Sequence, residues 1–287
     1  MDPRARAVLA VRVVRVVRAA ARPTRPQVDA APDAAPPVVD AAPPVIDAMP
    51  PVVDAAVPDA ESPGPSFTFF VTSLEGMRRL SGSQDGFGGN FGGLDGADGI
   101  CQALAESVGQ GGKTWRAFLS ATQGPDGQPV HAIERIGNGP WHDANGRLVA
   151  ENIEGLLSGD RPAGDAASVA DLPDEHGVPL STLGDAHDVV TGSNAQGRLF
   201  ANNPGSTCMD WTSADGAVGR NGLMCGHSFP RMGAGGRPGR GGANWLSDHP
   251  LRGCSPGVNL IQNGPGTGDC IGCSGGYGAL YCFAVSP

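Results

Sequence analysis

Paired prolines recur every seven residues between positions 36 and 56, where the chain reads PPVVDAA, PPVIDAM and PPVVDAA. Proline fixes φ and lacks the amide hydrogen, so these pairs exclude a helix and the interior of a sheet. The repeat predicts an extended, polyproline-like backbone that one aspartate per repeat keeps solvated. We therefore interpret residues 27–66 as a disordered Pro/Ala/Asp-rich linker that holds a domain away from a surface, with an untethered tail as the alternative.

The first 26 residues form a separate Arg-rich segment with seven Arg and one Asp. Its apolar run is interrupted by Arg12, Arg15 and Arg18, and such charges exclude a functional secretory signal. One interpretation is a short basic amphipathic helix. The other interpretation, which we favour, is that the start codon is assigned wrongly and the true leader sequence is missing.

Residues 67–287 are predicted to form one folded domain, since this length suffices for a sizeable core. The domain carries 13 basic and 21 acidic side chains, a balance that argues against general nucleic-acid binding. No run of 18 apolar residues is present, so we expect no transmembrane segment.

All seven cysteines lie in this domain, at Cys101, Cys208, Cys225, Cys254, Cys270, Cys273 and Cys282. One interpretation is a disulfide framework in an oxidising, extracellular or cell-surface compartment. The other is metal ligation through the Cys270–Cys273 CxxC pair, but a structural zinc site usually needs a second pair, which the sequence lacks. We favour disulfides, and the odd number leaves at least one thiol over.

Local patterns predict a few short elements. A strand is expected over 67–73, a helix over 94–108, a second strand over 113–120, a helical turn at 152–157 and a closing strand at 278–285. Asp95 is the expected N-cap of the helix and Gly109 its stop. The four tryptophans are expected in the core, with Trp245 the most exposed of them.

Several blocks resemble the endostatin domain, the C-terminal module of collagens XV and XVIII. They are, in the order of that family, Gly93-Leu-Asp-Gly-Ala-Asp98 with Trp115-Arg-Ala-Phe-Leu-Ser120, then Ala150–Gly159, then Val190–Leu199 with Cys208-Met-Asp-Trp-Thr212, and finally Leu280-Tyr-Cys-Phe283. The resemblance implies an α+β, C-type-lectin-like fold with a twisted mixed or antiparallel sheet, two helices and long Gly-rich loops.

The resemblance also implies disulfide pairings. Cys101 is implied to pair with Cys282. Cys208 is implied to pair with a cysteine shortly before the last strand, either Cys254 or Cys273, and we favour Cys254. The resemblance does not settle the pairing of Cys225, Cys270 and Cys273.

The sequence lacks the Glu-Pro-Asn and Trp-Asn-Asp motifs through which C-type lectins bind sugar with calcium. Endostatin-like domains hold zinc through an N-terminal histidine cluster, but no histidine precedes His131 here. We therefore predict no metal site and no cofactor.

The most basic stretch of the domain carries four arginines, which we predict to bind an acidic or sulfated glycan. They are Arg231, Arg237, Arg240 and Arg252.

A hydrolase has weak support in the sequence. The segment Gly226-His-Ser-Phe-Pro230 is similar to a nucleophile elbow but lacks its final glycine, and the pair His142-Asp143 is expected to lie in a turn. We expect a non-catalytic, extracellular or surface-displayed binding module for an acidic glycan or a protein. The alternative is a structural or adhesive surface protein without a small ligand.

Overall fold

The structure is a computed structural model that describes residues 66–220, 222–231, 244–261 and 268–285. All described residues belong to one compact unit within Ala56–Pro287. The predicted Arg-rich segment 1–26 and all but the last residue of the predicted linker lie outside the described residues. The described part is a mixed α+β structure with few helices and several small sheets, which confirms the predicted class.

The elements are short. The strands are β1 Phe69–Val71, β2 Trp115–Ala117, β3 Trp141–His142, β4 Leu148–Ala150, β5 Asp188–Val190, β6 Met224–His227, β7 His249–Pro250, β8 Gly276–Ala279 and β9 Tyr281–Ala284. The helices are α1 Leu74–Ser81, α2 Gly93–Ser107, α3 Ile153–Leu156 and α4 Ala166–Ala170. Single 3₁₀ turns cover Ala132–Glu134, Leu180–Leu183 and Pro204–Thr207.

The strands form three sheets. The first has the order β1-β9-β2 and is antiparallel throughout, while β3 and β4 pair as a hairpin. The third has the order β7-β6-β5-β8, in which only the β5–β8 pair is parallel. This third sheet carries the candidate site.

The predicted helix over 94–108 is α2, which begins one residue earlier than expected. Asp95 is not its N-cap, because Gly92 takes that position with a φ of 82°. Asp95 lies instead in the first turn, where a carboxylate still interacts favourably with the positive end of the helix dipole. Gly109 follows the end of the helix with a φ of 76°, in agreement with its predicted role as a stop.

Aromatic side chains fill the core around β9. Phe283 contacts the rings of Phe69, Phe118 and Trp141 at centroid distances of 4.9–5.8 Å. The expectation of an exposed Trp245 was wrong, since this side chain is fully buried. Its indole N–H donates to the Leu156 carbonyl at 3.1 Å, which satisfies the one polar group that burial would otherwise leave unpaired.

Three disulfides connect the described residues. Cys101 on α2 pairs with Cys282 on β9, and Cys208 pairs with Cys254. The first pairing is the one that the endostatin resemblance implies. The second is the one that we favoured over the alternative, Cys208 with Cys273. The third disulfide joins Cys270 and Cys273, so the CxxC pair is not available as a metal ligand.

The residues Cys208–Trp211 form a left-handed turn without a glycine. Their φ angles are 50°, 57°, 53° and 65°. Left-handed backbone costs roughly 1–2 kcal/mol for each residue with a Cβ, so other contacts must offset it. The Asp210 carboxylate accepts hydrogen bonds from the Thr122 amide, the Thr122 hydroxyl and the Thr207 hydroxyl, and Cys208 is held by its disulfide.

We expect the Cys101–Cys282 disulfide to stabilise the domain far more than Cys270–Cys273. The two bridges close loops with sequence separations of 181 and 3 residues. On the chain-entropy model their contributions are roughly 5 and 2 kcal/mol. Urea unfolding of Cys101→Ser/Cys282→Ser and of Cys270→Ser/Cys273→Ser measures both, and equal losses would contradict the expectation.

Candidate metal centre

The register of the third sheet brings four chemically active side chains to one face. Asp188 on β5 lies directly opposite His227 on β6, and Cys225 on β6 lies directly opposite His249 on β7. Cys225 and His227 are two residues apart on one strand, so they point to the same side. Residues that face each other across an antiparallel pair have Cβ atoms about 4.5–5.5 Å apart, so these four side chains converge.

Three imidazoles surround a single carboxylate oxygen. Asp188 Oδ1 lies 3.0 Å from His187 Nε2, 3.5 Å from His227 Nε2 and 3.1 Å from His249 Nε2. The ligand atoms of these four residues all lie within 4.8 Å of one another. We refer to His187, Asp188, His227 and His249 as the histidine cluster.

The cluster is almost entirely shielded from water. The side chains of His187, Asp188 and His227 are 1–2% exposed, and that of His249 is 31% exposed. A buried carboxylate is costly unless neighbouring groups compensate it. Burial alone would raise the pKa of Asp188, but its contacts with the three imidazoles outweigh burial and hold that pKa well below its usual range.

Further charged side chains contact the imidazoles of the cluster. Asp185 Oδ1 lies 2.9 Å from His187 Nδ1, and Asp248 Oδ2 lies 3.5 Å from His227 Nε2. The Arg231 guanidinium lies 3.3 Å from Asp185 Oδ2. The Asp185 carboxylate lies on the outer nitrogen of His187, which is the usual arrangement behind a metal-bound histidine, whereas Asp248 lies on the same nitrogen of His227 that faces Asp188.

Backbone contacts fix the strand ends that carry the ligands. The Ser228 amide donates to the His187 carbonyl at 2.8 Å, and the Arg161 guanidinium donates to the carbonyls of His227 and Ser228. The Asp188 amide donates to the Gly275 carbonyl at 3.0 Å. The backbone that carries the imidazoles is therefore hydrogen-bonded to neighbouring segments.

The protein groups alone do not satisfy the polar atoms of the cluster. Within the described residues, His227 Nδ1, His227 Nε2 and Asp188 Oδ2 are buried and have no hydrogen-bond partner. A cation between the three imidazoles and Asp188 would be bound by His227 Nε2. Zinc–nitrogen and zinc–oxygen bonds of about 2.0–2.2 Å place tetrahedral ligand atoms roughly 3.4 Å apart, close to the 3.0–3.5 Å observed around Asp188.

The charge of the described side chains also suits a divalent cation. The side chains of Asp185, Asp188 and Asp248 are each at most 5% exposed, and the positively charged Arg231 side chain contacts Asp185. With neutral imidazoles these groups carry a formal charge of −2. Neutral imidazole and carboxylate are the donors that zinc and the neighbouring first-row divalent ions prefer.

Of the four arginines predicted to bind a glycan, the described residues include Arg231 and Arg252. Arg231 faces Asp185 and His187, with its side chain only 18% exposed. Arg252 is exposed on the segment after β7. Arg237 and Arg240 lie outside the described residues.

Ser228 and Asp143, two of the candidate hydrolase residues, form hydrogen bonds with the backbone. The Ser228 hydroxyl is buried and donates to the backbone carbonyls of Ala186 or His187, at 3.2 and 3.3 Å. Asp143 lies in the predicted turn, between β3 and β4, where its carboxylate accepts hydrogen bonds from the amides of Asn145 and Arg147.

Sequence reasoning, which predicted no metal site, did not bring these four residues together because they lie far apart in the sequence. Asp188 precedes His227 by 39 residues, and His249 follows after another 22. The available signal was weak: four of the six histidines have an aspartate beside them or two residues away, and only two of these four, His187 and His249, belong to the cluster. Only the pairing of the strands brings these side chains together.

No protein-family model matches the chain, and no curated protein shows detectable sequence similarity to it. The endostatin-like resemblance therefore stays a prediction.

Gly275 leaves the space that the His187 ring occupies. A Cβ at this position would collide with His187 Cε1 and approach Asp185 Oδ2, and the φ of +135° is one that side chains rarely adopt. We expect Gly275→Ala to displace the ring, lower the stability of the domain and reduce its affinity for a divalent ion by about 10–100-fold, as for other supporting groups.

Calorimetric titration with Zn²⁺ measures this effect. Gly99→Ala is the matched control, because its Cβ would meet nothing within 4 Å and it lies on the exposed side of α2. Wild-type zinc affinity in Gly275→Ala would show that this glycine does not position His187.

Proposed function

We propose that this chain is a non-catalytic binding domain whose long loops are held by a divalent transition ion, Zn²⁺ foremost, in the histidine cluster. The observation that carries the proposal is the placement of three imidazole nitrogens 3.0–3.5 Å from one oxygen of the buried Asp188 carboxylate.

The number of protein donors favours a structural role over a catalytic one. Catalytic zinc sites usually have three protein ligands and keep a position for water, whereas structural sites are closed by four. Here three histidines and one aspartate supply four donors. They come from neighbouring strands, so an ion would hold β5, β6 and β7 together and fix both ends of the 228–248 connection.

The setting of the domain supports an extracellular or surface-displayed location. Three disulfides indicate an oxidising compartment. None of the helices in the described part of the chain has the length and apolar character that a membrane span needs. The endostatin-like, C-type-lectin-like fold stays our proposal within the α+β class, supported by the bridge between α2 and the last strand.

Zinc is expected to raise the thermal stability of the protein. An ion at about 100 times its Kd stabilises the native state by ~2.7 kcal/mol. For a domain of this size that corresponds to an increase in Tm of roughly 5–10 °C. Differential scanning calorimetry of the chelator-treated protein, with and without Zn²⁺, measures the shift.

Two variants and one control make this test specific. Asp188→Asn removes the central charge with little change in shape, and His249→Gln removes the most exposed ligand; both should abolish the zinc-dependent shift. His176→Gln is the control, since its side chain is 56% exposed and lies outside the cluster. An unchanged Tm in wild-type protein, or the same shift in Asp188→Asn, would refute the proposal.

The ligand that the loops bind stays a prediction from sequence, and an acidic or sulfated glycan is our working class. Binding to heparin-like polymers should weaken with salt, because it depends on arginine charge. We expect Arg252→Ala and Arg237→Ala/Arg240→Ala to weaken it, whereas Arg79→Ala, an exposed arginine on α1, should leave it unchanged. Equal binding by all variants in a glycan array would exclude these arginines, and a protein ligand or a structural role would then be favoured.

A further inference from the structure

The seventh cysteine lies at the histidine cluster. Six of the seven cysteines form disulfides, and the remaining one, Cys225, is fully buried with a free thiol. A thiol that stays reduced inside an otherwise oxidised domain needs a chemical reason. Free cysteine is retained for its reactivity and metal binding more often than for its packing.

The sheet register places the Cys225 thiol on the same face as the cluster. Cys225 precedes His227 by two residues on β6 and lies directly opposite His249 on β7. Its Sγ atom lies 3.5 Å from Asp188 Oδ1, 3.6 Å from His249 Nδ1 and 3.8 Å from His249 Nε2. Since Asp188 Oδ1 and His249 Nε2 are themselves 3.1 Å apart, these two atoms and Sγ form one compact triangle.

The sides of this triangle suit donors that share one ion. A metal–sulfur bond of about 2.3 Å and a metal–nitrogen or metal–oxygen bond of about 2.1 Å, at the angles of roughly 90–120° between ligands of a five-coordinate ion, place the two donors roughly 3.1–3.8 Å apart. The observed sulfur distances of 3.5 and 3.8 Å lie within that range. Independently, the buried His227 Nε2 forms no hydrogen bond although two carboxylate oxygens lie 3.5 Å away, which points to a cation at the same place.

We propose that Cys225 is a further ligand of this centre and that its thiolate makes the centre select thiophilic divalent ions such as Zn²⁺, Co²⁺ and Cd²⁺ over Mg²⁺ and Mn²⁺. This inference rests on the proposed metal centre and adds a donor of a different class to it. On coordination the ion replaces the thiol proton, which passes to the solvent. Sulfur donors favour soft and borderline ions, whereas oxygen donors favour Mg²⁺ and Mn²⁺.

A different role for Cys225 makes a different prediction. As an outer partner its S–H would donate to Asp188 Oδ1 or to the His249 carbonyl, which lies 3.3 Å away. The sulfur would then never bond to the ion. Optical spectroscopy distinguishes the two roles, because only a metal–sulfur bond produces a sulfur-to-metal charge-transfer band.

The test uses the full-length oxidised protein loaded with Co²⁺ in the absence of thiol reductants. Because the other six cysteines are in disulfides, a sulfur-to-cobalt charge-transfer band in the near ultraviolet would come from Cys225. We expect this band in the wild type and its loss in Cys225→Ser. We also expect Cys225→Ser to lower the ratio of Cd²⁺ to Mn²⁺ affinity at least about tenfold.

The outcomes separate this inference from the proposed function. Visible cobalt bands that need Asp188 and His249, without a charge-transfer band in the wild type, would overturn the role of Cys225 and leave the metal centre standing. The wild-type spectrum decides this even if Cys225→Ser does not fold. Absence of any Co²⁺ or Zn²⁺ binding by the wild type would overturn the proposed function itself.

Discussion

The buried carboxylate of Asp188 constrains this fold more than any other group. A charge in the interior is tolerated only where neighbouring groups compensate it, and here three imidazoles provide the compensation, from β6, from β7 and from the residue just before β5. The register of β5, β6 and β7 cannot slip by one residue without sending the carboxylate and the imidazoles to opposite faces. The same interaction that suits a cation therefore also specifies how the third sheet is assembled.

Local sequence patterns predicted those elements whose side chains follow a simple period. The apolar spacing along α2 and the alternation around Arg116 in β2 were sufficient. Helix α1 was missed, because Gly76 weakens its pattern. The structure shows the reason for that glycine: a Cβ there would collide with the Leu104 side chain, so the close approach of α1 and α2 requires it.

The candidate site was beyond the reach of local patterns for a different reason. Its ligands become neighbours only through the pairing of Asp188 with His227 and of Cys225 with His249. No fixed spacing in the chain encodes such pairs. Arg231 is a related case, since local composition marked it as part of a basic stretch but could not predict its contact with Asp185.

Because the residues of the histidine cluster come together only when three strands pair, ion binding would be coupled to folding. In the unfolded chain, His187, His227 and His249 are separated by tens of residues and offer an ion no assembled site. An ion would thus bind the native state almost exclusively, and each tenfold rise in its free concentration above the Kd would add about 1.4 kcal/mol to the free energy of unfolding. In the extracellular location that we propose, where no cytoplasmic buffer sets the metal level, the persistence of such a domain would follow the metal content of its surroundings.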